Sequence, residues 1–293
     1  MKDIKLLNGV NLRNKKAIEG WLFTLPWIIG FLIFFAFPLV VSINLSFGDI
    51  TKPGSLATRF VGLVNFERAF VEDTSFVPMF LTVVKTTLIR TPMIILFSLI
   101  IAIMLNKKLF LKGFFRQIFF LPVLLGTGFV MQQLLGQQVD AQAMEVARGI
   151  LLPDEILLYM GPKIAGYIGI FLDNITIVLW KSGVQIILFL AGLQGISKSL
   201  YESAKVDSAT EWEMFWKITL PMISPVILLN MVYTVVDSFT DITNPIVNYI
   251  YSMGFKNSNF EYAAAMGWIY MGFILVLIGI IFLCMKRFIH TAL

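Results

Sequence analysis

Ser197-Lys-Ser-Leu-Tyr-Glu-Ser-Ala-Lys-Val-Asp-Ser-Ala-Thr-Glu-Trp-Glu-Met-Phe-Trp-Lys-Ile-Thr-Leu-Pro221 is a polar stretch set between two strongly apolar runs. Ser199 is followed three residues later by Glu202, and Ser208 by Glu211. Each pair fits a capping box, in which a hydroxyl and a carboxylate satisfy the free N–H groups at a helix start. The spacing predicts two short helices with a turn near Asp207, the second stopped by Pro221. Charged residues alternate here with Leu200, Tyr201, Trp212, Phe215, Trp216 and Ile218, more large apolar side chains than a solvated loop favours. Aromatic anchors at i, i+3 and i+4 suit the groove of another protein. Packing beneath the apolar runs of the same chain is the other reading, and the residues alone leave both open.

The flanking runs set the class of the protein. Of 293 residues, 58% are hydrophobic and 14% charged, whereas a soluble globular domain carries about 25% charged residues. A larger soluble core cannot absorb the excess, because single cores stop growing near about 250–300 residues. The mean hydropathy of +0.83 therefore points to lipid as the solvent. Six charge-poor windows reach the roughly 20 residues needed to cross a bilayer: Trp21 to Leu45, Met79 to Leu105, Gln117 to Leu135, Ile170 to Leu193, Pro225 to Ile242 and Tyr262 to Met285. The first is too long, and too rich in Phe, Trp and Ile, for a cleavable signal peptide.

Sorting the cations by loop gives the orientation. Lys2, Lys5, Arg13, Lys15 and Lys16, then Lys107, Lys108, Lys112 and Arg116, then Lys198, Lys205 and Lys217, then Lys286 and Arg287 fall on the N-terminal side. Only Lys52, Arg59, Arg68, Arg148, Lys163 and Lys256 fall on the other. The positive-inside rule places both termini in the cytoplasm. The net charge of +5 and pI near 9.2 are thereby explained by topology, and nucleic-acid binding loses its support. One cysteine, Cys284, and one histidine, His290, allow neither an intramolecular disulfide nor an N/S metal site. On the outer side, Val139 to Leu152 is compatible with a helix that carries Asp140, Glu145 and Arg148 and ends before Pro153. A helix lying on the membrane surface and a docking element both fit that pattern.

The stretch from Leu190 to Pro221 resembles the "EAA" coupling loop of permease subunits of bacterial ABC importers, whose pattern is Glu-Ala-Ala, three residues, Gly, nine residues, Ile-x-Leu-Pro. Glu202, Ala204, Ile218, Leu220 and Pro221 match at that spacing, while Ser203 replaces the first Ala and Ser208 the Gly. A serine there is a better N-cap than glycine and needs no positive φ if the turn relaxes. Phe60-Val-Gly-Leu-Val-Asn-Phe and Phe114-Phe-Arg-Gln-Ile-Phe-Phe-Leu-Pro122 are similar to further family segments. The likeness covers nearly the whole chain and is nearest to the carbohydrate subgroup related to the maltose and glycerol-phosphate permeases.

The resemblance implies an all-α integral membrane protein of six transmembrane helices with the type I ABC importer permease fold. Residues 1–20 would form a cytoplasmic segment and 21–293 a single transmembrane domain, with the coupling hairpin at 197–221. It implies a multi-pass protein of the bacterial cytoplasmic membrane that works with a second, different permease, two ATP-binding subunits and an extracytoplasmic solute-binding protein. It further implies that Glu202, Ala204, Asp207, Ser208, Trp212, Phe215, Trp216, Ile218, Leu220 and Pro221 engage the ATPase. The chain itself lacks the G-x-x-x-x-G-K-[ST] phosphate loop, so ATP and Mg would be bound by the partner, with no cofactor here.

Ionisable residues inside spans are costly and mark cavities or pairs. Asp173 and Lys181 belong to the fourth span, and Asp237 and Asp241, four apart and on one face, to the fifth. The resemblance makes Lys181, Asp237, Ser238 and Asp241 a candidate substrate path for a sugar or oligosaccharide. An internal Lys181–Asp237 ion pair is the equal alternative. If Lys181 and Arg90 face the cavity, an acidic sugar fits. An ion-coupled secondary transporter could share these polar spans, but no internal repeat links the two halves, and it leaves the capped inner hairpin unexplained. No H-E-x-x-H or G-x-S-x-G motif supports a membrane enzyme, so no catalytic residue and no metal ligand is assigned.

Overall fold

Prolines shape the first span. The computed structural model describes residues 4–50, 58–107, 113, 174, 175, 177–241 and 243–288. The chain divides into two compact units, Met1–Val77 with Tyr249–Met271, and Pro78–Asn248 with Gly272–Leu293.

In the first unit, α1 (Ile4–Phe31) runs back through the basic stretch ahead of the expected Trp21 start and contains Pro26. A wide π turn over Leu32–Ala36 then joins it to α2 (Phe37–Ser46). The Phe37 N–H reaches back five residues to the Leu32 carbonyl. Pro38 follows at the start of α2, where its missing N–H and its ring are accommodated by the widened turn. A two-stranded antiparallel hairpin comes next, β1 (Gly48–Ile50) against β2 (Thr58–Phe60), with Gly48 opposite Phe60. The buried amide of Asn65 donates to the carbonyls of Ser46 (3.2 Å) and Gly48 (2.9 Å), so the Phe60–Phe66 segment is bracketed to the end of α2. α3 (Val64–Glu67) and a π turn over Arg68–Glu72 lead to α4 (Phe76–Asn106).

In the second unit, residues 177–181 are helical and α5 spans Gly183–Gly195. The polar hairpin comprises α6 (Lys198–Val206), α7 (Glu211–Met214), a π turn over Phe215–Thr219 and α8 (Leu220–Met222). α9 (Ser224–Thr240) rises from it. α10 (Pro245–Tyr251) and α11 (Phe260–Met285) each cross from one unit into the other. The core of the second unit joins Ile95, Leu99 and Ala102 of α4 to Ile186, Phe189, Leu190 and Leu193 of α5, with Ile196 and Ile223. α5 and α9 approach closely at Gly192, where a Cβ would sit 2.7 Å from Val226 Cγ2.

Three described helices are long and apolar enough to cross a bilayer: Ile18–Ser46, Phe76–Asn106 and Phe260–Met285. They overlap the expected first, second and sixth spans. The fourth and fifth correspond to two helix pairs that each bend by 63°, Gly183–Gly195 with Lys198–Val206 and Glu211–Met222 with Ser224–Thr240. The third span, the Val139–Leu152 stretch, the Phe114–Pro122 motif, Asp173 and His290 lie outside the described residues.

Candidate functional site

Local chemistry builds the hairpin somewhat differently from expectation. α6 starts at Lys198, not at Ser199, and Ser197 at its cap makes no backbone cap. The Ser197 and Ser199 hydroxyls bond each other at 2.7 Å, so the Ser199–Glu202 box does not form. The second box is shifted by two residues. Thr210 accepts from the Glu213 N–H while Glu213 accepts from the Thr210 N–H. The backbone N–H of Thr210, then its hydroxyl and Lys217, hold the Glu213 carboxyl below its ordinary range.

The shift has a cause at Ser208, which has φ +60°. Ala209 N–H donates to Ala204 O (2.9 Å) and Ser208 N–H to Lys205 O (3.1 Å), the paired bonds of a Schellman closure of α6. A residue held in that left-handed state cannot also adopt the extended backbone of an N-cap. The motif's glycine position therefore keeps its positive φ although serine occupies it; the turn does not relax. Pro221 likewise does not end the second helix. It lies in the first turn of α8, after the π turn, and the chain bends at Ile223 ahead of Pro225.

Tyr201 of α6 and Thr219 after α7 share a hydroxyl–hydroxyl bond of 2.8 Å, which locks the two arms together. Met214 and Thr219 are buried, Phe215, Ile218, Leu220, Pro221 and Ala204 half-buried. Glu202, Asp207 and Ser208 are exposed, and so are Trp212 (69%) and Trp216 (49%). Trp212, Phe215 and Trp216 pack edge on or tilted with centroids 5.2–6.3 Å apart, a preassembled aromatic cluster. Lys107 at the end of α4 reaches Glu211 at 3.3 Å.

The structure brings the ionisable residues of the fourth and fifth spans together. Lys181 Nζ lies 3.3 Å from Asp237 Oδ2 and is in contact with Asp241 Oδ2. Asp241 falls just past α9, where its other oxygen accepts from the N–H (2.8 Å) and hydroxyl (2.7 Å) of Thr243. Asp237 is the more open carboxylate, its side chain 40% exposed against 24% for Asp241. Ser238 contributes its carbonyl to the Asn244 amide at 3.1 Å. Four residues along from Lys181, Gln185 donates to Thr234 at 3.0 Å, so polar pairs continue down the α5–α9 seam. Arg90 Nε donates to Asn174 Oδ1 at 3.1 Å.

Sequence reasoning missed a cluster in the first unit. Asp73 Oδ1 caps α4 by accepting from the N–H groups of Ser75 and Phe76 (2.8 and 3.0 Å). Its Oδ2 accepts from the hydroxyls of Tyr249 (2.7 Å) and Tyr262 (2.5 Å), and the Arg68 guanidinium stacks 4.4 Å over the Tyr262 ring. Burial works to raise the Asp73 carboxyl, but the four hydrogen bonds outweigh it and hold it below the ordinary carboxylate range. Burial and the bond to Asp73 push Tyr249 up to about 12. Asp-x-Ser-Phe ahead of an apolar run was a readable cap signal; the distant tyrosines left none.

No family model matches the chain. The arabinooligosaccharides transport system permease protein AraP of Bacillus subtilis is 31% identical, covering 90% of this chain and 87% of the relative. The lactose transport system permease protein LacF of Rhizobium radiobacter is 28% identical, covering 91% and 94%. Among solved structures, a bacterial ABC transporter involved in import of the acidic polysaccharide alginate has a chain that superposes with a TM-score of 0.63 at 21% identity, covering 95% and 98%. The same transporter has been solved in complex with a periplasmic protein that carries an alginate pentasaccharide. The helical architecture is thus that of an ABC transporter permease, the apolar spans make it an integral membrane protein, and the chain belongs to the family of sugar ABC transporter permeases.

Proposed function

We propose that this chain is one of two different permeases of an ATP-driven importer, which takes a sugar or oligosaccharide from a solute-binding protein and passes it through the bacterial cytoplasmic membrane by alternating access. Six spans with both termini inside, two ATP-binding subunits that hold ATP and Mg, and a binding protein on the outer face complete the arrangement. The observation that carries the reading is the hairpin. Its arms are locked by Tyr201 and Thr219, each is bent 63° from the span it continues, and it presents Trp212 and Trp216 outward. In this reading the tryptophans and Phe215 fill an apolar groove of the ATPase and Glu202 makes the polar contact. Ala204, Asp207, Ser208, Ile218, Leu220 and Pro221 fix the shape of the hairpin. The bent helices then convey ATPase closure to α5 and α9. Co-purification of the ATPase with a Glu202→Lys plus Trp216→Asp double variant tests it. Loss of the ATPase and of substrate-stimulated hydrolysis is expected, and retention of both would overturn the assignment.

Lys181, Asp237, Ser238 and Asp241 are proposed to line the substrate path. Two carboxylates against one ammonium leave a surplus negative charge, and an open carboxylate suits the hydroxyl groups of a sugar. An acidic sugar would need Lys181 to leave its carboxylates. Uptake of neutral and uronic oligosaccharides by Lys181→Ala separates the two: selective loss of the uronic cargo assigns the lysine to charge recognition, and equal loss of both excludes it.

A further inference from the structure

The exposed apolar side chains of the first unit are of two kinds. Those of α1 and α2 belong to a membrane span, for which exposure to lipid is the ordinary condition. Others lie off that span, among them four on the strap that follows it: Phe60 (78% exposed), Leu63 (65%), Phe70 (57%) and Val71 (74%). In the same unit Phe255 (68%) lies between Tyr251 and Phe260, with ring centroids at 4.9 and 5.9 Å. Such surfaces are unfavourable in water and call for a covering phase.

The attachments of the strap point to that phase. At one end Phe47, the residue after α2, stacks on Phe60 (6.5 Å) and lies tilted against Phe66 (5.0 Å), and its carbonyl accepts from the Val61 N–H at 2.9 Å. At the other end Asp73 caps α4. Both ends are thus fastened to helix ends on one side of the bilayer, and the short chain between them cannot stand far from that surface. The helix that feeds the strap is itself exposed in the manner of a lipid-facing span, with Phe37 and Val40 of α2 63% and 53% open. The carboxylate of Asp73 fastens the strap to the 249–262 segment through Tyr249 and Tyr262, so the two apolar patches belong to one plate. Exposed Glu67 and Glu72 supply polar groups that reach water from the same elements.

We infer that Phe60, Leu63, Phe70, Val71, Phe255 and Phe260 form an interfacial anchor, seated at the boundary between headgroups and acyl chains of the leaflet that the strap meets. Phenylalanine, leucine and valine bury there while the carboxylates stay among the headgroups, as in other interface-bound elements. This inference rests on the membrane reading alone and on none of the transport roles.

Collision accessibility of a nitroxide tests it. The full chain carries Cys284→Ser and one of Phe70→Cys, Val71→Cys or Phe255→Cys, in vesicles of phosphatidylethanolamine and phosphatidylglycerol. Phe23→Cys on α1 serves as the lipid reference and Glu72→Cys as the water reference, and only variants that melt like the parent are read. The anchor predicts that labels at 70, 71 and 255 collide several-fold more often with oxygen than does the label at 72, and several-fold less often with a water-soluble nickel chelate. Accessibility to the chelate at the level of Glu72→Cys would overturn it, since the plate would then stand in water. Low collision with both reagents would also overturn it, because a protein surface would then cover the plate. Measurements on the chain without its ATPase and with it present leave the outcome independent of the coupling assignment.

Discussion

The 197–222 hairpin and the Asp73 clamp use similar residue types to opposite ends. At Asp73 the carboxylate is saturated: four donors converge on it, and Tyr262 is 1% exposed. On the hairpin the polar groups also satisfy one another, yet the largest apolar side chains, Trp212 and Trp216, are left in the open. A cluster closed on itself serves the fold. A rigid scaffold that leaves its aromatics exposed has the form of a binding surface, since buried aromatic anchors dominate binding energy at interfaces.

That contrast can be broken by removing each centre. Asp73→Ala strips a helix cap and strands two tyrosine hydroxyls, for an expected loss of about 3 kcal/mol or more, read as thermal unfolding of the chain in detergent. A change of only a few tenths of a kcal/mol would erase the distinction. Trp212→Ala with Trp216→Ala is expected to leave unfolding almost untouched while weakening ATPase capture by about 2 kcal/mol, roughly 30-fold; equal effects on both readouts would mean that the tryptophans are part of the fold. Smaller and of opposite sign, Ser208→Gly relieves a left-handed serine and is expected to stabilise the hairpin by about 1 kcal/mol. Hydrogen exchange at the Ser208 and Ala209 amides reports it. Lys107→Ala, at an exposed pair, is expected to change stability by less than about 0.5 kcal/mol.

Acid and base sharpen the same comparison. Because the folded Asp73 carboxyl lies below its unfolded value, its contribution is present above the ordinary carboxylate pKa of about 4 and is lost as pH falls through the depressed folded value. Tyr249, raised to about 12, contributes fully below the ordinary tyrosine pKa of about 10 and loses that contribution as pH rises towards 12. A melting temperature that declines steadily between pH 5 and 9 because of this cluster would contradict the assignment.

The first, second and sixth expected spans were legible because charge-free runs have one physical explanation, and the hairpin because a polar stretch with helix-start residues interrupts the apolar pattern. The placement of the caps was not. Ser208 has the chemistry of an N-cap, but the closing bonds of α6 claim its backbone first, and the start of α7 moves to Thr210. A proline ends a regular helix, which puts the expected stop at Pro221, whereas a wide turn ahead of it removes the clash and the chain bends at Ile223 instead. The spacing of Asp237 and Asp241 announced a shared face, and Lys181 meets both. Nothing local announced that Asp73 would gather Tyr249 and Tyr262, because that contact is made only when distant segments fold together.

The wide turns at Leu32–Ala36 and Phe215–Thr219 each end two residues before a proline, Pro38 and Pro221. Each inserts roughly one extra residue into its helix, and one residue of α-helix corresponds to about 100° of rotation. The faces before and after such a turn therefore belong to different helical wheels. Excising Lys217 or Ile218 would keep the helix and every aromatic of the hairpin, yet swing Trp212 to a new compass bearing around the axis that leads up to the bend before α9. The phase between the tryptophans and that helix is thus written in the length of the turn as well as in the residues it connects.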